Sequence, residues 1–473
     1  MTDLPKKNKN TFNLIDSKEW LPFQKSWTIA DDAEKVYRDN VRFFTLPTLE
    51  VKDVAYDGNQ AEVFSSIVSA EKITVTQDQS TSIQFALFDW INEIKGITQL
   101  SELDGFLRRA QNAIDMASQN LIDGRFLAIF AQNKWIEDRY VPIAWELAKM
   151  ASRVLSLRDE KIMCFKNQLD SHPNSPIAGV AYALYLRRDA EPTSLQDGEW
   201  DVASFTSLPE QPVITNELPS WFILKPQRRS ADEVLHPAKY PEELVTMFVS
   251  QFSKENDNIF DPMSGTGSTQ MGALSIGRNA YGTELSTFFW EIANNRLLEL
   301  VNPTQMSLFE DAAISNEFRI ECGDARRFAE FNFPRIQYLL TSPPYWDMLN
   351  MKGAETQAKR QELGLRTNYS ESEMDLGNQG DYSKFLDDLV DIYSTIFQQM
   401  GSGALATIVV KNIKKKGVSY PFAWDLSHRL TGVATLISEH FWLQDDISIF
   451  PFAFGRTWVS NTFHQYCLTY RIL

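Results

Sequence analysis

The segment Asn258–Ser286, NIFDPMSGTGSTQMGALSIGRNAYGTELS, constrains the fold more than any other stretch of the chain. A mainly apolar run, Asn258–Met263, leads into a turn holding Gly265 and Gly267, and a helix-compatible stretch opens at Ser268. Glycine accepts backbone torsions closed to other residues and lets the chain come close to a ligand. The helix start that follows presents N–H groups with no partner inside the helix. Downstream, short apolar runs alternate with helical stretches. The spacing predicts strands at Asn258–Met263, Asn279–Leu285, Arg319–Asp324, Gln337–Ser342 and Ala404–Lys411, and two closing strands at Trp442–Phe450 and Thr462–Ile472 that form an antiparallel edge. Helices fill Ser268–Ile276, Thr287–Leu300 and Tyr382–Met400. Such alternation makes an α/β fold, a doubly wound and mostly parallel sheet covered on both faces.

The preceding half reads differently. Within 82–190, SIQFALFDWINEI, ELDGFLRRAQNAIDMASQNLI and YVPIAWELAKMASRVLSL place apolar residues three and four apart, as amphipathic helices do. Pro192, Pro209, Pro212 and Pro219 in polar surroundings mark a linker. The expected organisation is a mainly helical N-terminal domain over 1–210, for recognition or partner docking, and an α/β domain over 211–473 with a polar insert at 346–381. No repeat at solenoid spacing is evident. The polar start MTDLPKKNKN predicts no signal peptide, and no run approaches the ~18 apolar residues of a membrane span. Cys164, Cys322 and Cys467 lie far apart with no Cys/His cluster, which points to free thiols in a prokaryotic cytoplasm and to no metal.

The net charge is −16, and 1–210 and 211–473 each carry 23 basic and 31 acidic residues. A partner with a phosphate backbone therefore needs a local basic face. The candidate clusters are KPQRR from Lys225, the stretch Lys352–Arg366, and KNIKKK from Lys411.

Three successive strand ends carry the groups an adenosine needs. The Gly265–Gly267 turn lacks the third glycine of the dinucleotide fingerprint, which argues against a nicotinamide cofactor. Glu284, about 20 residues on, is placed to accept from both ribose hydroxyls. Asp324 ends the third strand, where it can accept from an adenine amino group. The fourth strand delivers Thr341-Ser342-Pro343-Pro344-Tyr345-Trp346. Two prolines stop a sheet ladder and stiffen the loop. The Ser342 side chain and the Pro343 carbonyl are then two acceptors for the two hydrogens of an exocyclic amino group. Held this way, the nitrogen lone pair turns toward an electrophilic methyl, and transfer becomes a matter of positioning. Tyr345 is expected to stack on a base, which must leave its duplex to reach the loop.

These motifs resemble those of the DNA amino-methyltransferases that make N4-methylcytosine or N6-methyladenine. DPMSGTGS resembles their cofactor loop, GTEL their ribose-binding strand end, TSPPY their catalytic tetrad in its Ser form, and HPAKYP (His236–Pro241) an element lining the methionine end of the cofactor. The resemblance covers about 225–473. It implies the class I, Rossmann-like methyltransferase fold with a seven-stranded sheet, and S-adenosylmethionine as cofactor. It implies Ser342, Pro343, Pro344 and Tyr345 as catalytic, and His236, Pro237, Lys239, Asp261, Met263, Gly265, Thr266, Gly267, Ser268, Glu284 and Asp324 around the cofactor. Double-stranded DNA is the implied substrate, with Trp346, Lys352, Arg360, Arg366, Lys411, Lys414 and Lys415 as candidate contacts. Restriction or defence subunits are the implied partners.

Met263 departs from the usual Phe. Many relatives with the HPxKxP element carry the catalytic loop before the cofactor loop, the reverse of the order here. Ser at the first tetrad position favours N4 of cytosine over N6 of adenine. An RNA- or protein-directed amino-methyltransferase and a non-catalytic specificity subunit remain the other readings. Methylation at cytosine C5 needs a cysteine nucleophile, and no Pro-Cys pair exists.

Overall fold

The computed structural model describes residues 12–473 except 77, 79, 168, 170, 171, 194, 196–201, 226–239, 303–314, 347–374, 416, 446–448, 450–457 and 459. The chain divides into two units. The first holds Met1–Pro212, Lys416–Tyr420 and Asp445–His464; the second holds Val213–Lys415, Pro421–Gln444 and Gln465–Leu473.

The first unit contains a seven-stranded sheet. Its strands are β1 (Trp27–Ile29), β2 (Asp53–Gly58), β3 (Thr74–Val75), β4 (Ile83–Asp89), β5 (Leu121–Ala131), β8 (Ser156–Cys164) and β9 (Val180–Arg187); a small hairpin, β6 (Lys134–Ile136) and β7 (Arg139–Val141), stands apart. The sheet order is β1-β8-β9-β5-β4-β2-β3. β9 runs antiparallel to both neighbours, and the other pairs are parallel. The expected mainly helical N-terminal domain is thus corrected to an α/β unit. SIQFALFDWINEI is not one helix: Ile83–Asp89 is a buried strand, and a helix starts only at Ile91. A short continuous apolar run satisfies helical and buried-strand spacing alike. In YVPIAWELAKMASRVLSL the helix spans Ile143–Ser152 between strands, whereas ELDGFLRRAQNAIDMASQNLI lies mostly in the long helix Leu100–Asn120. Aromatic packing builds this core: Phe44 touches Phe85, Phe126, Tyr185 and Trp458.

The second unit contains eight strands: β10 (Trp221–Ile223), β11 (Asn258–Asp261), β12 (Asn279–Glu284), β13 (Phe318–Cys322), β14 (Tyr338–Thr341), β15 (Leu405–Val410), β18 (Ala434–Leu443) and β19 (His464–Ile472). The short strand β16 (Ile413–Lys415) follows β15 in the chain, and β17 (Val418–Tyr420) falls in the first unit. The order is β10-β18-β19-β15-β14-β11-β12-β13, with β19 antiparallel to β15. This is the class I methyltransferase arrangement with β10 as an eighth, outer strand beyond the seven expected. Strands β11, β12, β14 and β15 fall within the expected spans, and β13 starts one residue before its span. The strand expected at Trp442–Phe450 is instead Ala434–Leu443; Trp442 and Leu443 are its last residues rather than its start. Val245, Val249, Ala273, Leu274 and Ala293 cover one face of the sheet. Gly272 is required there, since a Cβ would meet Val245 Cγ1 at 2.6 Å.

Candidate active site

Asp261 ends β11 and is buried. Its carboxylate accepts from Thr341 Oγ1 and Thr269 Oγ1, both at 2.7 Å, from the Met263 N–H at 3.0 Å and from Tyr240 OH at 3.1 Å. It thereby ties β14, the glycine loop and the helix Ser268–Ser275 into one junction. Burial raises its carboxyl above the usual range, and the hydrogen bonds pull the other way. The sequence put Asp261 on the cofactor; the structure makes it the clamp that shapes the loop, with all four of these bonds made to protein groups.

The loop turns through left-handed glycines, Gly265 at φ 54° and Gly267 at φ 80°. Those torsions are strained for residues with a Cβ. Gly267 caps the helix beginning at Ser268, and a Cβ on it would lie 3.2 Å from Ala293 Cβ. Across the loop, Glu284 at the end of β12 accepts from the Gly265 N–H and the Ser286 N–H, both at 2.8 Å. Burial pushes its carboxyl up to about 7 against those two bonds. Gly282 allows this approach, because a Cβ there would stand 2.7 Å from the Asp261 carbonyl.

These strand ends enclose a crevice with about 650 Å3 of open space, lined by Met263, Gly265, Glu284, Leu285, Phe289, Asp324, Arg326, Ser342, Pro344, Asp375, Leu376 and Ile392, among others. The cofactor loop and the tetrad therefore border the same cavity, as expected from adjacent parallel strands β11 and β14. Thr266 and Ser268 are buried and not among its lining. Asp324 is held in an ion pair by Arg326, with Nε 3.0 Å from each carboxylate oxygen, and it caps the following turn through the Arg326 N–H.

In the tetrad, Ser342 Oγ lies 3.4 Å from Tyr345 OH, which donates to Gln465 Oε1 at 2.6 Å. Tyr345 is buried, with Lys411 Nζ 5.3 Å from its ring centroid. Trp346 carries Lys415 Nζ 3.9 Å over its ring and packs on Tyr382. Burial pushes the half-buried Lys411 ammonium down to about 8. Lys411 and Lys415 thus meet the aromatic rings of the catalytic loop rather than forming an open basic face; Lys414 is half-buried on β16. His236, Pro237, Lys239, Lys352, Arg360 and Arg366, and with them nearly all of the 346–381 insert, lie outside the described residues.

Sequence reasoning missed Gln465, Arg326 and Asp375. Gln465 is 120 residues from Tyr345, and nothing in its neighbours marks it. Arg326 stood two residues after an acid already singled out. Asp375 was hidden in a polar stretch, and no motif flags it.

Three carboxylates, Glu284, Asp324 and Asp375, and apolar walls from Met263, Leu285, Phe289 and Ile392 face the cavity. S-adenosylmethionine bears a sulfonium and an ammonium, ribose hydroxyls and an apolar adenine, so this donor set fits it. No group of three or more His, Cys, Asp or Glu side chains among the described residues is arranged to hold a metal. No described helix is long and apolar enough to cross a membrane.

A model of the DNA methylase family of the N6/N4 type matches residues 90–295. The match begins directly after β4 and ends within the helix Thr287–Val301, so it leaves the tetrad outside. The chain is 38% identical over 73 residues to the orphan methyltransferase M.BamHII of Bacillus amyloliquefaciens, covering 15% of this chain and 28% of that protein. It is 36% identical over 74 residues to the type II methyltransferase M.HinfI of Haemophilus influenzae, covering 15% and 21%. The matched stretches thus span under a third of these relatives. Among solved structures, TrmN from Thermus thermophilus overlaps with a TM-score of 0.30 at 9% identity, over 94% of this chain and 80% of that one. Phosphoethanolamine N-methyltransferase 2 of Haemonchus contortus, in complex with S-adenosylhomocysteine, gives 0.24 at 11%, over 84% and 79%. The cofactor is S-adenosylmethionine, and residues 90–295 match the DNA methylase family of the N6/N4 type.

Proposed function

We propose that the chain transfers a methyl group from S-adenosylmethionine to the exocyclic amino nitrogen of a base flipped out of double-stranded DNA, with N4 of cytosine favoured. One observation carries this reading: Ser342 and Pro344 line the same crevice as Gly265 and Glu284. The bound cofactor would supply an electrophilic methyl on sulfur. The chain's own residues do the rest. Glu284 is held rigid by two backbone N–H groups and offers its remaining acceptor positions to ribose hydroxyls. Ser342 Oγ and the Pro343 carbonyl accept the two amino hydrogens. Gln465 fixes the Tyr345 hydroxyl, so the ring is set before substrate arrives, and such preorganisation lowers the cost of reaching a reactive geometry. The buried aromatic walls of Tyr345 and Trp346 keep water from the reacting nitrogen.

Ser at the head of the tetrad supports cytosine; N6 of adenine is the second reading, since the same two acceptors serve either amino group. Incubating the protein with tritiated cofactor and DNA or RNA, then digesting to nucleosides, tests both. N4-methylcytosine from DNA is expected. N6-methyladenine would move the reading to its alternative, and label confined to RNA or protein would contradict it.

A further inference from the structure

The two units match strand for strand. Reading each sheet from one edge, β1-β8-β9-β5-β4-β2-β3 corresponds to β10-β18-β19-β15-β14-β11-β12, and β13 alone has no counterpart among the described residues. The register agrees as well as the order. Phe85 of β4 sits between Val54 and Phe126, and Phe126 faces Arg187. Tyr338 of β14 sits between Ile259 and Leu405, and Leu405 faces Arg471. An Ile-Gln-aromatic triplet recurs at the same place: Ile83-Gln84-Phe85 opens β4, and Ile336-Gln337 leads into Tyr338, the first residue of β14.

The stretch from Gly124 to Leu147 aligns without a gap on Gly403 to Leu426, keeping Ile129/Ile408, Asn133/Asn412, Pro142/Pro421, Ala144/Ala423 and Trp145/Trp424. The kept residues repeat their hydrogen bonds. Asn133 Oδ1 and Asn412 Oδ1 each accept the backbone N–H eleven residues on, at 2.9 Å. Trp145 Nε1 donates to Tyr182 OH at 3.1 Å, and Trp424 Nε1 to Tyr466 OH at 3.2 Å. Shared topology alone recurs between unrelated proteins; shared topology, register and buried hydrogen bonds in an ungapped stretch do not arise from sheet geometry alone.

We infer that the chain carries the methyltransferase fold twice, and that the first copy has lost its cofactor site and serves as a non-catalytic unit. This inference rests on the methyltransferase reading of the second unit. Among the described residues, no cofactor element of the second unit has a counterpart in the first copy. The register puts Tyr56 where Asp261 stands and Asp89 where Ser342 stands. Only Asn59 and Gln60 separate β2 from its helix, against the loop Pro262–Gly267. β3 stops at Val75, the partner of Val54, whereas β12 runs four residues past the equivalent Ala280 to Glu284. The strand end that supplies Asp324 has no counterpart among the described residues.

The space between the strand ends is also filled. Tyr37 OH donates to Asp89 and lies 3.5 Å from Tyr56 OH, Tyr56 OH accepts the Gln60 N–H at 3.2 Å, and Trp90 Nε1 donates to Asp57 at 3.0 Å. The family match, beginning at Trp90, starts at the position equivalent to Pro343.

Titrating the full chain with S-adenosylhomocysteine by calorimetry tests this, with ultraviolet crosslinking of tritiated cofactor as a second measurement. One equivalent per chain is expected, at least 10-fold weaker in Glu284→Ala and unchanged within twofold in Trp90→Phe, with crosslinked peptides from 258–346 only. Two equivalents, or label in 53–90, would overturn the inference and leave the methyltransferase reading standing. No binding at all would overturn both.

Discussion

At the end of β11, Asp261 gathers four hydrogen bonds and the chain takes the loop Pro262–Gly267 to reach its helix; at the end of β2, the register puts Tyr56 in the same place and the helix opens after Asn59 and Gln60. At the end of β14, Ser342 lines a cavity; at the end of β4, Asp89 is tied to Tyr37. The sheets beneath these ends keep one order and one register. Strand cores therefore set the architecture, while a handful of residues beyond each carboxyl end decide whether a ligand site exists. This matches the general rule that open α/β sheets bind ligands just outside those ends.

The largest expected effect that sharpens this contrast is at the tetrad. Tyr345→Ala should lower kcat by about 100-fold or more, the scale of a lost positioning contact, with cofactor Kd nearly unchanged. Trp90→Ala, at the strand end of the first unit, should leave kcat within about threefold once folding is verified, because the residue touches no reacting group; a loss there as large as that of a positioning residue would break the contrast. Steady-state kinetics with saturating cofactor separates the two.

Next comes Glu284→Ala, which removes hydrogen bonds to a charged group worth about 1.5–3 kcal/mol, or roughly 10- to 150-fold in cofactor Kd. The pH dependence follows from the same carboxyl. Its folded value near 7 lies above the ordinary value of 4.5, so the folded state holds the proton that the unfolded state has already lost. Stability contributed by this group is greatest below about pH 4.5 and falls as pH rises through about 7. Cofactor binding runs the other way, because the ionised form is the better acceptor for ribose hydroxyls. Cofactor Kd should fall between about pH 6 and about pH 8, on either side of that folded value, and Glu284→Gln should flatten the profile.

The smallest effect probes what the units share. Asn133→Ala and Asn412→Ala each delete the acceptor of one backbone N–H and should cost about 1 kcal/mol apiece, measured as matched losses in denaturant unfolding. Loss at one position only would argue against a shared device.

The second unit was legible because its markers are chemical. Gly265 and Gly267, Glu284 and the two prolines after Ser342 announce strand ends whose flanking apolar runs then have to be strands. The first unit was not, because its strand ends lack those residues. With the single Gly58 after Tyr56 in place of a glycine pair, and no proline after Asp89, the run Ile83–Asp89 and the helix after it merge into one apolar pattern. The repeat was missed for a related reason: its kept residues, such as Asn133 and Trp145, are buried hydrogen-bonding groups scattered among freely exchanged apolar ones. The roles of Asp261 and Gln465 depend on partners far away in sequence, which periodicity does not reveal.

A crystal structure of the chain grown with S-adenosylhomocysteine tests the central claim most directly. The expected result is one molecule in the second unit, its ribose on Glu284 and its sulfur facing Ser342. A molecule seated at the β2 and β4 ends, or one whose sulfur points away from the tetrad, would contradict it.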